Sequence, residues 1–242
     1  AKDIPTTGSI KENQSRVYYG EMADPWVVVG ARDGAEPVEL DTPGGGSAAA
    51  GTETMTTYAG HGGVAIGNPV LRTMYATQMA DINLLLSDRV HSNSKILYDR
   101  KPRDRVAKVA PWLTVDSDSL PAVVDGRMVW IVDGYTTSSD YPNSTKVDLR
   151  DAASDSTTGN RVAQRGTEIN YIRNSVKAVV DAYDGTVQLY AWQPDDPILQ
   201  TWQKVYPGTV KSRSAMSKDL LAHVRYPQDL FKVQRAMLGQ YH

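Results

Sequence analysis

Two stretches decide the fold: Pro121-Ala-Val-Val-Asp-Gly-Arg-Met-Val-Trp-Ile-Val-Asp-Gly134 and Val179-Val-Asp-Ala-Tyr-Asp-Gly-Thr-Val-Gln-Leu-Tyr190. Each sets β-branched and aromatic runs on either side of an Asp-Gly pair, Asp125-Gly126 and Asp184-Gly185. Those residues tolerate the positive φ that a tight hairpin turn demands. A third pair, Asp33-Gly34, separates Trp26-Val-Val-Val-Gly30 from Pro37-Val-Glu-Leu40 and reads as a third hairpin. The segments around them carry helical spacing. The fold class is therefore α+β, an antiparallel sheet built from Asp-Gly hairpins with helices packed against it.

Asn68-Pro69 is a helix entry, with Asn as cap and Pro suited to the first helical position. Leu71, Met74, Tyr75, Gln78, Ile82, Leu85 and Leu86 follow at three- and four-residue steps and predict one buried face. Pro102 opens a shorter helix with Val106, Val109, Ala110 and Leu113, which Pro111 ends. Asp195-Asp196-Pro197 caps a helix over residues 198–205, and Ser217 caps another. Pro227 opens the last, with Leu230, Val233, Met237 and Tyr241 on one face.

Residues 1–15 read as a disordered or extended lead, and 16–242 as a single α+β domain. The Gly/Ala/Ser-rich run Thr42–Thr52 lacks side chains that pack, so a flexible loop is expected near 42–57. Ser, Thr and Asp between Tyr135 and Gly166 predict a second long loop.

With 242 residues, 40% apolar and 22% charged, the chain has the composition of a folded protein rather than a disordered one. A net charge of −2 supplies no electrostatic reason to expect nucleic acid as a partner. The longest apolar run, Met128–Val132, is far short of a membrane span, so a soluble chain is expected. Absence of cysteine excludes disulfides, thiolate metal sites and cysteine nucleophiles. The ends read as cut from a longer protein. Thirteen Tyr stand against a single Phe, Phe231, and composition offers no reason for it.

Chemistry-bearing constellations are incomplete. Gly60-His61-Gly62-Gly63 resembles an oxyanion loop, but no Gly-x-Ser-x-Gly accompanies it, and Gly45-Gly46-Ser47-Ala48-Ala49 fails at its last position. The turn reading, glycines supplying positive φ before a helix, is preferred. His61, His91, His223 and His242 form no metal-binding spacing. Asp116 and Asp118, and Asp195 with Asp196, are weak candidates for a hard cation such as Ca²⁺, since an oxygen cage needs more carboxylates than either pair offers. No cofactor is predicted and no catalytic residue assigned. Lys101-Pro-Arg-Asp-Arg105 reads as a solvated helix start rather than a phosphate site. Trp112, Trp130, Trp192 and Trp202 suit stacking on sugars or, more simply, a core. Asn143-Ser144-Thr145 matches a glycosylation sequon.

Val17-Tyr-Tyr-Gly-Glu21, Asn83-Leu-Leu-Leu-Ser-Asp88, Ile96-Leu-Tyr-Asp-Arg100, Val109-Ala-Pro-Trp-Leu113 and Ala122-Val-Val-Asp-Gly126 stand in one order with three further stretches. These are Trp130-Ile-Val-Asp-Gly-Tyr-Thr-Thr-Ser138, Asn170-Tyr-Ile-Arg-Asn-Ser-Val-Lys177 and Arg225-Tyr-Pro-Gln-Asp-Leu-Phe-Lys-Val-Gln234. Over about 16–242 the chain resembles uncharacterised protein family 0182, multi-pass membrane proteins found mainly in actinobacteria and cyanobacteria. Tyr75 and Tyr206 depart from the phenylalanines the resemblance leads one to expect. The resemblance implies a piece of a large extracytoplasmic region whose parent sits in the cell membrane, and it transfers no catalytic residue.

Three functions follow as expectations. The first is a non-catalytic scaffold or envelope-ligand binding module, partnered by the membrane-embedded part of its own parent and by an envelope lipid or glycan. The second is an envelope hydrolase or transferase using Asp125, Asp133 or Asp181, residues whose turn and strand positions already explain them. The third is a ligand-gating domain of a transporter.

Overall fold

In a computed structural model, which describes residues 14, 16–32, 34, 36–37, 39–42, 54–154 and 167–241, the chain groups into two compact units. One is Ala1–Lys101 with Ala182–Gly185; the other is Pro102–Asp181 with Thr186–His242.

The first unit holds β1 (Trp26–Val29), β2 (Glu39–Thr42), β3 (Thr54–Thr56), β4 (Val64–Ala65), α1 (Pro69–Gln78), α2 (Asn83–Leu86) and β5 (Lys95–Tyr98). Its main sheet has the order β1-β5-β4, all antiparallel, and β2 pairs with β3 apart from it. This corrects the Asp33-Gly34 hairpin: β1 takes β5 as its neighbour, not the 37–40 segment. Gly30, at φ +93°, turns the chain out of β1, and its N–H donates to the Glu39 carboxylate at 2.8 Å, so a side chain rather than a strand receives the turn. Asp33 itself, most of the 1–15 lead and residues 43–53 of the expected loop lie outside the described residues, as do Gly45–Ala49 and His242. Tyr19, Val29, Tyr58 and Leu97 form one small core, and Ile66, Ala76, Leu84 and Ile96 another.

The expected buried face of the Asn68 helix is also corrected. Asn68 caps α1 through Val70 N–H as anticipated. Tyr75, Ala76 and Met79, however, face the core, while Leu71, Met74, Ile82, Leu85 and Leu86 are exposed. Apolar residues occupy both sides of α1, so spacing alone did not identify the inner one.

The second unit holds α3 (Pro102–Val109), β6 (Thr114–Val124), β7 (Arg127–Ser138), β8 (Val147–Asp148), α4 (Leu149–Ala152), β9 (Glu168–Ile169), β10 (Tyr171–Asp181), β11 (Val187–Ala191), α5 (Pro197–Val205), β12 (Val210–Ser212), α6 (Lys218–His223) and α7 (Gln228–Tyr241). Its sheet runs β12-β11-β10-β7-β6, antiparallel except where β12 lies parallel to β11. Asp125 (φ +50°) and Gly126 (φ +80°) both adopt the left-handed conformation between Val124 and its partner Arg127, a two-residue hairpin turn. The β10–β11 hairpin closes over a longer turn with Gly185 at φ +69°. Val132, Val176, Ala178, Val180 and Leu189 pack with Val106 and Ala110 beside α3 and Leu199 of α5. Val129, Ile131 and Tyr190 pack with Leu220 of α6 in a separate cluster. Helices on both faces explain why the strands read as nearly continuous apolar runs.

The expected 135–166 loop is corrected in part. Tyr135–Ser138 completes β7, and β8 and α4 follow, while 155–166 lie outside the described residues. Tyr135 and Thr136 are fully buried with their hydroxyls bonded, so polar character did not keep them out of the sheet. Val109, expected inside, is exposed.

Candidate functional site

The chemistry-bearing side chains of the second unit gather where the two strands that flank β7 both bulge. On β6, Asp116, Ser117 and Asp118 are interposed between Val115, opposite Gly134, and Ser119, opposite Val132. On β10, Asn174 and Ser175 are interposed between Arg173, opposite Thr136, and Val176, opposite Gly134. Bulges re-aim side chains. Here they turn Asp116 and Asn174 inward and leave Asp118 exposed, so the two proposed cation ligands diverge.

Asp116 is 1% exposed; its carboxylate accepts the Tyr135 hydroxyl, the Asp118 N–H at 2.8 Å and the Asp229 N–H at 3.1 Å. Burial, and then the Asp229 carboxylate, push its pKa up to about 6. Asp229, at the start of α7, accepts from Ser117 N–H (2.8 Å) and Ser117 Oγ (2.6 Å) and has Lys232 Nζ 3.8 Å away. This exchange clamps α7 to the β6 bulge. Asp133 pairs with the fully buried Lys177, whose Nζ also donates to the Arg225 carbonyl at 2.8 Å. Burial raises the Asp133 pKa, and Lys177 opposes it. Asn174 adds an amide hydrogen to Asp133 at 3.0 Å.

Asp196, 0% exposed, caps α5 through Leu199 N–H and accepts from Thr136, Ser175 and Tyr171. Burial pulls its pKa up, but the bonds from Tyr171, Thr136, Leu199 and Ser175 together hold it below the usual range. Neighbouring Asp195 is held low by the Arg173 guanidinium at 2.9 Å. Of the other carboxylates considered for catalysis, Asp181 pairs with Arg127 at 2.8 Å, while Asp125 is exposed in its turn, where its backbone N–H donates to the Asp219 carboxylate at 2.7 Å. Among the described residues no group of three or more His, Asp or Glu converges as a metal cage.

Two open clefts flank Leu149 and Ile169, which line both. The first, about 590 Å³, is bordered by Arg103, Asp104, Thr114, Thr137 and Thr167. Arg103, from the basic cluster at the start of α3, reaches the Asp116 carbonyl at 2.6 Å. The second, about 370 Å³, has an aliphatic floor of Val147, Ile172, Val233 and Met237 under a rim of Tyr141, Ser144, Thr145 and Asn170. Tyr141 stacks on Tyr171 with centroids 5.7 Å apart. The Asn170 amide donates to the Tyr141 carbonyl (2.8 Å) and the Ser144 carbonyl (3.2 Å) and accepts the Tyr141 N–H (3.0 Å), so the rim is held in place. The sequon asparagine, Asn143, lies in this turn at φ +57°.

Sequence reasoning placed Val233 and Met237 on an inward helix face but missed Tyr135, Lys177, Asn170 and the cleft. None of these carries a local signature; long-range pairing brings them together. Of the tryptophans, Trp112 stacks on Trp202, Trp202 on Tyr206, and Trp192 carries Lys177 and Arg213 over its ring. The Gly60–Gly63 turn folds over Tyr58, whose hydroxyl accepts the Gly62 N–H at 3.0 Å, and His61 N–H donates to Asp184 at 3.0 Å. His223 Nδ1 lies 2.8 Å from the Asp219 carbonyl in α6.

A family model described as an uncharacterised protein family, UPF0182, matches residues 1–242. The chain is 53% identical to a UPF0182 protein of Frankia alni, over 100% of its own length and 23% of the relative's. It is 52% identical to UPF0182 proteins of Leifsonia xyli and Paenarthrobacter aurescens, over 99% of its length and 24% of theirs. It thus spans about a quarter of the curated relatives it matches. No solved structure matches it. Among the described residues no helix is long and apolar enough to cross a membrane.

Proposed function

The chain belongs to the uncharacterised protein family UPF0182, and from that premise we propose that it is a non-catalytic binding and scaffolding part of a multi-pass membrane protein, held on the extracytoplasmic side. The ligand class proposed is an envelope lipid or glycan fragment with an apolar body and a hydroxylated end. The observation that carries this reading is the 370 Å³ cleft, whose aliphatic floor and hydroxyl-bearing rim of Tyr141, Ser144 and Thr145 match that ligand. Its volume falls within the range of small-molecule sites. A general acid or nucleophile must reach its substrate. Asp116, Asp133, Asp196 and Asp229 instead turn into bonds that join strands and helices.

A thermal-shift titration with dihexanoyl phosphatidylglycerol and N-acetylglucosamine oligomers tests it. At about a hundred times the dissociation constant, a specific ligand adds ~2.7 kcal/mol, a shift of several degrees. Met237→Trp, which fills the floor, is expected to remove the shift without unfolding the chain. A flat titration, or a shift that survives Met237→Trp, overturns the cleft as the site. Steady hydrolysis of either probe, abolished by one carboxylate substitution, overturns the non-catalytic reading.

A further inference from the structure

The larger cleft of the second unit, about 590 Å³, has no part in the reading above, yet it holds two opposite charges side by side. Arg103 and Asp104, in the first turn of α3, both line it. Elsewhere in this unit opposite charges close on each other, as Arg127 does on Asp181 and Lys177 on Asp133. Here they do not. Arg103 is half-buried, and its Nε donates to the Asp116 carbonyl at 2.6 Å, which fixes the guanidinium against the β6 bulge. Among the described residues its two terminal nitrogens have no hydrogen-bond or ion-pair partner, and neither has the exposed Asp104 carboxylate.

The helix dipole disfavours a cation in the first turn, a cost that a docked oxyanion offsets. A guanidinium held by its Nε still presents a planar fork of N–H donors suited to a carboxylate or phosphate. The other polar groups of the lining are neutral: Thr167, and Thr114 with Thr137, whose hydroxyls lie 3.2 Å apart. One hydroxyl of that pair donates to the other, and the accepting one keeps its proton for a ligand. Leu149 and Ile169 add an aliphatic side. A plain anion on Arg103 would sit beside the like charge of Asp104, and a plain cation on Asp104 would meet Arg103 in the same way. A ligand bearing both signs satisfies both groups. We propose that the larger cleft binds a small zwitterion, an ammonium and an oxyanion a few bonds apart, with the oxyanion on Arg103 and the ammonium on Asp104. α-Amino acids and aminoalkyl phosphates share this chemistry. The smaller cleft plays no part in it.

Amide NMR shifts of the isotope-labelled chain test this, read at Arg103, Asp104, Thr137 and Thr167 during titration. The probes are L-valine with isobutyrate, its half without the ammonium, and O-phosphoethanolamine with ethyl phosphate, its corresponding half. At least one zwitterion is expected to bind about threefold tighter than its anionic half, the scale of an exposed ion pair. Asp104→Asn, at an exposed side chain without a bond, leaves the fold alone and is expected to erase that advantage while the anionic half binds as before. Arg103→Gln is expected to weaken the zwitterion about tenfold or more, as loss of a charged hydrogen bond does. If Arg103→Gln disturbs the fold, Asp104→Asn decides alone. Preference for valine over phosphoethanolamine identifies an amino acid, the reverse an aminoalkyl phosphate, and both support the proposal. Equal affinity of each zwitterion and its half shows a plain anion site and overturns it. So does zwitterion binding that survives Asp104→Asn unchanged, or the absence of shifts at these amides with every probe.

Discussion

Asp116 is a carboxyl group whose surroundings favour its neutral form: burial and Asp229 raise its pKa to about 6. In the unfolded chain the group titrates near 3.9. Between those values the native state keeps the proton that the unfolded state releases. Stability from this residue is therefore greatest below about pH 4, falls as pH rises to about 6, and is constant above, a loss of about 2–3 kcal/mol. Asp116→Asn is expected to flatten that slope, read as the difference in urea unfolding between variant and parent across pH 4–7; parallel curves would refute it. The excess of tyrosine over phenylalanine also finds its reason at this scale. The hydroxyls of Tyr135, Tyr171, Tyr190 and Tyr226 bond to Asp116, Asp196, Gln188 and Gln234, and Tyr183 accepts the Ala59 N–H. Tyr75, where phenylalanine was expected, bonds to Tyr98. A phenylalanine would leave these partners unmatched. Composition showed the bias; only the fold shows the acceptors.

At the scale of elements, the Asp-Gly grammar was legible where both flanking runs belong to one sheet, as at Asp125-Gly126. It misled at Gly34 because a turn signal names a reversal, not which strand receives it. The bulges of β6 and β10 left no mark in the sequence, since a bulge is defined by the partner's register. That is why the carboxylate cluster was seen as scattered residues. The α1 face was misread for a different reason: two apolar stripes give one period with no preferred phase. The turn glycines allow a graded test. Gly185 and Gly208 both have positive φ, at +69° and +79°. A Cβ on Gly185 would stand 2.4–2.7 Å from ring carbons of Tyr19, whereas one on Gly208 meets nothing within 4 Å. Gly208→Ala should lose about 1–2 kcal/mol, the left-handed penalty alone. Gly185→Ala should lose about 3 kcal/mol, because crowding adds to it. Equal shifts in melting temperature would show that Tyr19 yields freely.

For the whole molecule, the uneven sheets predict uneven protection. The second unit joins five strands with helices packed against them, and Val132, Val176, Ala178 and Val180 are 0% exposed. The first unit, among the described residues, rests on a sheet of three short strands, a separate β2–β3 pair and smaller clusters. Hydrogen exchange is expected to be slowest at the amides of β7 and β10, and faster by an order of magnitude or more at β1 and β5, because opening energies follow buried apolar contact. Uniform exchange across both would contradict this. The first unit is also discontinuous in sequence: Ala182–Gly185 belongs to it, with the Ala182 carbonyl accepting from Tyr18 and Tyr19 N–H at 2.8 and 2.9 Å. A ribosome delivers the chain in order, at about 5–20 residues per second. When it has made residue 101, the first unit still lacks its last piece, and Tyr19 waits without the glycine it packs on until residue 185 has been added.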